Sequence, residues 1–236
     1  MTDFVWPEVV VMLVTYNRPH EFRSTFGALY HHLKYEGTLR WVICDDGSDN
    51  IRATINAINI RFPDVHFQLS ETNRKGWGAN VNAGVKQFAP NSYIYLNEDD
   101  FVAQRDIDLN TAVLTLESVP SLGILRYDGI AYIDLTLDMC HQSTSSGVLS
   151  YLRIRRESMS LYIYGNRPHL KHPRFHQEYG YYREGLKVGQ TEEEMCWRIK
   201  NGTGPDIAVL PDMLYTPYKH IGKSWQLTKD DVGELI

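Results

Sequence analysis

The sequence of 236 residues predicts an α/β protein with a mostly parallel central sheet flanked by helices. Apolar runs without a polar face, such as residues 9–14, are typical of strands that helices cover on both sides. Between these runs, apolar residues recur at helical spacing. Acidic or glycine-rich loops follow the strands. In an open α/β sheet, such loops collect at the carboxyl edge of the strands, where ligands bind.

Strands and helices alternate over the first 120 residues. This alternation predicts a doubly wound sheet in the Rossmann manner. Phe22 begins a helical pattern that ends before Gly37, and an acidic turn follows the second strand. The predicted strands are 9–14, 39–44, 65–69 and 92–96, and the predicted helices follow at about 22–33, 51–58, 77–88 and 109–116.

The second half has a different pattern. Strands 122–127 and 131–135 are predicted to form a small antiparallel portion, joined at the hairpin signal Asp128-Gly129. A strand over 148–154, a helix over 191–200 and a strand over 207–210 are also expected. Residues 164–185 have no clear period and are interpreted as long loops. We expect one domain, with a ligand-binding half near 1–120 and a second half near 121–236.

Composition excludes several classes of protein. A net charge of −5 and the lack of a long basic block give no strong nucleic-acid signature. The three scattered cysteines suit a reducing compartment rather than a disulfide framework. The longest aliphatic run is too short to span a bilayer, and the N-terminus lacks a basic leader. A cytoplasmic protein without a transmembrane segment is therefore expected. The sequence does not predict its oligomeric state.

One predicted strand ends in three consecutive carboxylates, Glu98, Asp99 and Asp100. Acids this close together repel each other unless a positive charge lies among them. A divalent cation is one answer, since carboxylate oxygens suit Mg²⁺ or Mn²⁺. A solvated acidic turn is the alternative on these residues alone.

Four short motifs occur in a fixed order at the ends of these strands. They are Val-Thr-Tyr-Asn-Arg at 14–18, Asp-Asp-Gly-Ser at 45–48, Asn-x-x-Gly at 73–76 and the acids at 98–100. In this order they resemble the GT-A nucleotide-sugar-dependent glycosyltransferases, chiefly the inverting family 2. The resemblance covers residues 8–110 closely and residues 189–224 more loosely.

The family's metal motif is Asp-x-Asp (DXD), and Glu98-Asp99-Asp100 departs from it. By resemblance, Asp100 binds the metal directly, and Glu98 and Asp99 hold the ribose or the metal's waters. His220, in a His-x-Gly-x-Ser-like element, is the second implied ligand. Carboxylates with one imidazole indicate manganese (Mn²⁺), with Mg²⁺ as the alternative. The other possible register of the motif would put Asn97 first and Asp99 second, and the amide of Asn97 is a poorer metal ligand than a carboxylate.

The resemblance also implies a nucleotide-sugar site on the loops after the first three strands. Tyr16 would stack on the base, and Asp45 or Asp46 would accept a hydrogen bond from uracil or thymine. Arg74 and Lys75 stand where cations meet a diphosphate, with a solvated turn as the alternative. The residues assigned to this site are Thr15, Tyr16, Asn17, Arg18, Asp45, Asp46, Asn73, Lys75, Gly76, Glu98 and Asp99.

A second acidic cluster lies at 192–194, before Arg198. By resemblance, the catalytic base falls on Glu192, with Glu193 as the runner-up. Neighbouring helical residues point about 100° apart, so only one or two of these acids can face a cleft. The alternative is an acidic first helical turn with Thr191 as its N-cap.

The implied function is metal-dependent, inverting transfer of a sugar from a UDP- or dTDP-linked donor to a hydroxyl. The acceptor class, whether glycan, lipid-linked sugar, protein or modified nucleobase, is left open. A nucleotidyltransferase acting on a sugar phosphate and a non-catalytic GT-A-like sugar-binding protein are the alternatives. Five tyrosines of the second half are candidates for stacking on sugars or for packing a loop: Tyr162, Tyr164, Tyr179, Tyr181 and Tyr182.

Overall fold

A computed structural model describes residues 4–127, 135–144, 147–160, 162–213 and 215–222. The strands are β1 Val9–Thr15, β2 Leu33–Lys34, β3 Leu39–Asp45, β4 Phe67–Glu71, β5 Tyr93–Glu98, β6 Phe101–Ala103, β7 Ile107–Asp108, β8 Leu122–Arg126, β9 Leu137–Thr144, β10 Gly147–Ile154, β11 His169–Lys171, β12 Asp206–Val209 and β13 Tyr218–His220. The α-helices are α1 Pro19–His32, α2 Ile51–Arg61, α3 Trp77–Phe88, α4 Leu109–Ser118, α5 Arg174–Tyr179 and α6 Val188–Asn201.

The main sheet has nine strands in the order β4-β3-β1-β5-β11-β8-β12-β10-β9. The four strands predicted for the first half lie side by side and parallel, which confirms the doubly wound core. In the register of this sheet, Thr15 pairs with Asp45 and Val14 pairs with Glu98. The acidic loops after β3 and β5 therefore meet at one edge, on either side of the loop after β1.

Helices cover this core on both faces, as the continuous apolar runs predict. All seven residues of β1 are buried. On one face, the ring of Phe26 from α1 packs edge-on against Trp41 and Phe67, with centroids 5.1 and 5.0 Å away. On the other face, α3 packs so closely that Gly84 lies against Cys44. A strand buried on both sides has no room for a polar face.

The largest difference from the sequence prediction lies within residues 164–185, which do not form loops throughout. The short strand β11 lies in the middle of the sheet, antiparallel to both β5 and β8. The short helix α5 follows it. Sequence patterns do not reveal β11 because it has only three residues, His169, Leu170 and Lys171, and two of them are polar.

Several smaller boundaries also differ from the prediction. The helix predicted at 191–200 begins earlier, with Lys187 as its N-cap, so Thr191 lies inside α6 and is not the cap. The strand predicted at 65–69 runs from Phe67 to Glu71. Strand β9 was not predicted, and it pairs with β10 as a hairpin. The predicted strand 131–135 and its turn lie almost entirely outside the described residues.

A two-stranded sheet beside the main one joins distant parts of the chain. Strand β13 runs antiparallel to β6, and His220 pairs with Phe101. The amide of Ile221 donates to the carbonyl of Asp100 at 2.8 Å. The return of the chain at 218–221 therefore fixes His220 beside the acids that follow β5.

The close packing of α3 gives a test of the fold. We expect Gly84→Ala to lower the free energy of unfolding by about 1–3 kcal/mol, because the new Cβ would collide with the buried Cys44 sulfur. Gly27→Ala, inside α1, is the matched control, since its Cβ would first meet Phe62 at 4.0 Å. It should be neutral or stabilising by up to ~1 kcal/mol. Urea unfolding of both variants measures the difference, and equal stabilities would contradict the packing.

Candidate active site

One cleft of about 590 Å³ lies at the carboxyl edge of β1, β3 and β5. Loops from both halves of the chain form its walls. The lining residues are Val14, Thr15, Tyr16, Arg18, Asp46, Gly76, Trp77, Asn80, Glu98, Asp99, Asp100, Phe101, Tyr162, Arg167, Val188, Gly189, Glu192 and His220. Of these described lining residues, five carry carboxylates and two carry guanidinium groups, so the cleft is acidic.

The acids after β5 are held by polar side chains of the loop after β1. Glu98 is the last residue of β5, and Asp99 and Asp100 follow as buried residues. Thr15 Oγ1 donates to Asp99 Oδ2 at 2.8 Å. The guanidinium of Arg18 bridges both aspartates, with Nη1 3.2 Å from Asp99 Oδ1 and 2.5 Å from Asp100 Oδ2. A buried anion pair is thus partly neutralised from within the protein.

Burial and mutual repulsion act on these acids. Burial raises the pKa of Glu98 well above its usual range, and the nearby carboxylates Asp100, Glu192 and Asp99 raise it further. Burial also raises the pKa of Asp99 to about 6, against the opposing effects of the Thr15 hydroxyl and Arg18. Both shifts mean that added negative charge is costly here, and that a cation entering the cleft is favoured.

Asp100 and His220 face each other across the end of the cleft. The distance from His220 Nε2 to Asp100 Oδ2 is 3.3 Å. Asp100 Oδ1 is buried and has no hydrogen-bond partner among the described residues. Gly222 packs against both side chains so closely that a Cβ at this position would collide with them. Asn97 points away and donates to the carbonyls of Glu98 and Phe101.

The two aspartates after β3 have different surroundings. Asp45 is fully buried and accepts hydrogen bonds from the amides of Gly47 and Ser48, at 2.9 and 2.8 Å. Asp46 lines the cleft and holds the loop before α3. Its Oδ1 accepts from the amide of Lys75 at 2.8 Å, and its Oδ2 accepts from the amide of Gly76 at 2.9 Å.

The loop after β1 is fixed to the loop after β3. The amide of Asn17 donates to Ser48 Oγ at 2.7 Å, and the amide of Asp49 donates to Asn17 Oδ1 at 3.0 Å. Asn17 adopts a left-handed backbone conformation, with φ of 51°. These contacts present Tyr16, an exposed ring, to the cleft. A smaller cavity of about 250 Å³ lies between the same two loops.

The acids of α6 are separated by the helix geometry. Glu192 is half-buried and lines the cleft, and its Oε1 accepts from the amide of Asn166 at 2.8 Å. Glu193 is exposed and lies outside the lining. Glu194 forms an ion pair with Arg198, with 2.6 Å between Oε2 and Nη2. Helix α6 therefore directs one of its three acids into the cleft.

The cleft brings together most, but not all, of the residues assigned from the sequence. Ten of the candidates line it: Thr15, Tyr16, Arg18, Asp46, Gly76, Glu98, Asp99, Asp100, Glu192 and His220. Asn17 lines the smaller cavity instead. The side chains outside the main lining are Asp45, Asn73, Lys75 and Glu193. Their roles in binding or catalysis stay predictions.

The lining residues without a role assigned from the sequence include Trp77, Asn80 and Arg167. Trp77 and Asn80 belong to the start of α3, and the glycine-rich turn before them was the available signal. Arg167 precedes β11, in the segment interpreted as loop. No sequence pattern places Arg167 at the cleft, because its position depends on the insertion of β11 between β5 and β8.

Residues 10–125 match the family described as Glycosyl transferase family 2. This segment, just under half of the chain, contains nearly all of the four parallel strands β1, β3, β4 and β5 and four of the five acids that line the cleft, all but Glu192. Over this segment, the chain is similar in sequence to family 2 glycosyltransferases. A search of curated proteins found no match to the sequence.

Solved structures share this fold at low sequence identity. The mannosyltransferase PcManGT from Pyrobaculum calidifontis, in complex with GDP-Man and Mn²⁺, gives a TM-score of 0.58 at 13% identity, over 93% of this chain and 58% of that chain. TarS 1–349 from S. aureus, in complex with UDP-GlcNAc, gives a TM-score of 0.63 at 16% identity, over 92% and 60%. The chain thus spans about 60% of the length of these proteins.

None of the helices in the described ranges is long and apolar enough to cross a membrane.

The loop held by Asp46 gives a test of the site geometry. We expect Asp46→Ala to lower the free energy of unfolding by about 1–3 kcal/mol, because the backbone amides of Lys75 and Gly76 lose their charged acceptor. Hydrogen exchange at the amides of Lys75 and Gly76 should accelerate, while the amide of Asp45, inside the neighbouring strand, keeps its rate. Unchanged exchange at Lys75 and Gly76 would contradict the assigned contacts.

Proposed function

We propose that the chain transfers a sugar from a UDP- or dTDP-linked donor to an acceptor hydroxyl, with Mn²⁺ or Mg²⁺ and inversion at the anomeric carbon. The observation that carries this proposal is the convergence of two acidic groups in one cleft. Asp100 and His220 line one part of it, and Glu192 lines another. A diphosphate near the first group would leave the sugar close to the second.

The donor set around Asp100 fits a divalent cation shared with the donor diphosphate. Its buried Oδ1 lacks a hydrogen-bond partner among the described residues, and His220 adds a nitrogen ligand. Within the described ranges, no group of three or more His, Cys, Asp or Glu side chains can hold a metal. Two protein ligands leave the other coordination positions to phosphate oxygens and water, which is how Mg²⁺ is commonly bound beside phosphates.

Of the two aspartates after β3, we assign Asp46 rather than Asp45 to the recognition of a uracil or thymine base. The carboxylate of Asp45 is enclosed by its own loop, whereas that of Asp46 lines the cleft. Each carboxylate oxygen has two lone pairs. Asp46 Oδ1 accepts from Thr72 and Lys75, and Oδ2 accepts from Gly76 in the described residues. One position on Oδ2 therefore suits the N3–H of such a base.

In the proposed reaction, Glu192 accepts the proton of the acceptor hydroxyl as its oxygen attacks the anomeric carbon. The bond from that carbon to the diphosphate breaks, and the diphosphate leaves with the electron pair. A bound cation supplies Lewis-acid stabilisation of the leaving diphosphate. The amide of Asn166 orients Glu192, and the aromatic rings of Tyr162 and Trp77 line the same cleft. The proposal defines the acceptor only by its reacting hydroxyl group.

We expect Glu192→Gln to reduce sugar transfer by about 10²- to 10⁴-fold, because the amide cannot accept the proton. Binding of UDP with Mn²⁺, measured by calorimetry, should be retained. Glu193→Gln is the matched control, since this neighbour is exposed and lies outside the cleft, and its activity should equal that of the wild type.

Transfer that survives in Glu192→Gln would reject this base. A product with retained anomeric configuration, seen by NMR, would reject the single displacement. UDP-sugars that bind without being transferred or hydrolysed under any condition would favour a non-catalytic sugar-binding protein.

We expect Asp100→Asn to remove most of the thermal stabilisation that UDP gives in the presence of Mn²⁺. Ligand at 100 times its Kd stabilises the native state by about 2.7 kcal/mol, so the loss is measurable. Asp106→Asn is the control, because this exposed carboxylate pairs with His32 and lies outside the cleft. The same Mn²⁺ dependence in Asp100→Asn and wild type would refute Asp100 as a ligand.

A further inference from the structure

A buried lysine lies in the middle of the sheet, and no step proposed above uses it. Lys171 is the last residue of β11 and is 1% exposed. Its neighbours in the sheet are Ile94 and Ile124, on β5 and β8. Its Nζ donates to the hydroxyl of Tyr182 at 2.7 Å. A fully buried amine is costly and rare unless it is hydrogen-bonded.

From Tyr182, hydrogen bonds and the backbone of residues 164–166 together lead to the cleft. The hydroxyls of Tyr182 and Tyr164 are 2.5 Å apart. The backbone of Tyr164 is hydrogen-bonded in both directions to the sulfur of Cys196, which lies one helical turn after Glu192 on α6. Two residues after Tyr164, the amide of Asn166 donates to Glu192.

Tyr182 also connects to the wall of the cleft. Its ring packs edge-on against Trp77, with centroids 4.9 Å apart. Its backbone amide and carbonyl both bind the side chain of Asn82 on α3, at 3.0 and 2.9 Å. Tyr182 therefore links α3, the segment at 164–166 and the core, and tyrosines 164 and 182 pack the interior rather than stacking on sugars.

We propose that Lys171 is a positioning residue for the proposed sugar transfer: through the hydroxyls of Tyr182 and Tyr164, it sets the position of Glu192. This role rests on the proposed assignment of Glu192 as the base. When the amine is protonated, it donates to Tyr182. When it is neutral, its lone pair accepts from the Tyr182 hydroxyl, so the direction of the hydrogen bonds reverses.

The reversal falls in an accessible pH range. Burial lowers the pKa of Lys171 to about 7, with the Cys44 sulfur on β3 acting slightly in the opposite direction. Among the described residues, the other titratable groups around Lys171 are Tyr182 and Tyr164, His169 on its own strand and His176 on α5.

These neighbours do not titrate near pH 7. Burial raises the pKa of Cys44 to about 12 and that of both tyrosines well above 10. It lowers the pKa of His176 to about 3 and that of His169 well below its usual range. Within this cluster, a proton that is gained or lost near pH 7 therefore belongs to Lys171.

Lys171→Met, which keeps an unbranched chain of similar length, is the principal test. Between pH 7 and 10, an unfolded lysine holds a proton that the buried amine has lost, so stability rises with pH. We expect the unfolding constant of the wild type, relative to Lys171→Met, to fall by up to about tenfold per pH unit across this range. Denaturant unfolding at several pH values measures it.

Hydrogen exchange tests the positioning role without turnover. In the wild type, the exchange rate of the Asn166 amide, corrected for the intrinsic rate, should change as the pH passes through 7. In Lys171→Met, this exchange should be faster, and its change near pH 7 should be absent. With any UDP- or dTDP-sugar that proves to be a donor, kcat should fall about 10- to 100-fold with the donor KM unchanged. Failure of the proposed function alone would abolish turnover in the wild type and leave the exchange result intact.

Tyr164→Phe decides the question if Lys171→Met does not fold, because it removes one hydroxyl and keeps the ring. It should also remove the pH dependence at Asn166. Tyr93→Phe is the matched control, since Tyr93 donates to Glu117 and has no link to this cluster among the described contacts. The proposal would be overturned if both test variants exchanged faster throughout the protein, including β1. It would also be overturned if the Asn166 amide exchanged in these variants as it does in the wild type.

Discussion

The fold gathers negative charge at the carboxyl edge of its parallel strands, and much of the surrounding structure limits the cost. Asp45 is fully buried and receives backbone amides, Asp46 holds the loop before α3, and Asp99 and Asp100 share the guanidinium of Arg18. Without these donors, ionised carboxylates in such positions would take up protons or move into water. The raised pKa values of Glu98 and Asp99 show that compensation is incomplete. A site built this way attracts cations, and a ligand that brings one of its own would relieve the remaining repulsion.

The second half of the chain completes the site because two of its strands pair with strands of the first half. Strand β11 inserts between β5 and β8, so that the segment before it reaches the cleft. Arg167 and the backbone that holds Glu192 come from this segment. Strand β13 pairs with β6 and places His220 against Asp100. The candidate base and the candidate metal ligands are therefore connected through strand pairing, which gives them fixed relative positions.

Lys171 is buried at the centre of this insertion, and its amine needs hydrogen-bonding partners there. An apolar residue at this position in the sheet would pack more simply, since a buried amine requires hydrogen-bonding partners. The hydroxyl of Tyr182 meets this requirement and in turn bonds to the hydroxyl of Tyr164. The ring of Tyr182 packs against Trp77 on α3, and the backbone of Tyr164 bonds to Cys196 on α6, the helix that carries Glu192. A polar cluster of this kind specifies one arrangement of the core more strictly than an apolar one, because each member has few acceptable partners.

The sequence by itself determined the parallel core and the strand ends that carry the acids. Apolar runs such as residues 9–14 report burial on both faces, and the carboxyl ends of parallel strands must lie at one edge, so the proximity of Asp46 and Asp100 follows from local pattern. Only the tertiary structure decided which acids enter the cleft. Asp45 and Asp46 are adjacent in sequence and differ in whether the loop encloses the carboxylate, and Glu192 and Glu193 differ in the direction set by α6. The position of β11 also depended on the tertiary structure, because three residues with two polar side chains form a central strand only when neighbouring strands supply hydrogen bonds and Tyr182 supplies a partner for Lys171.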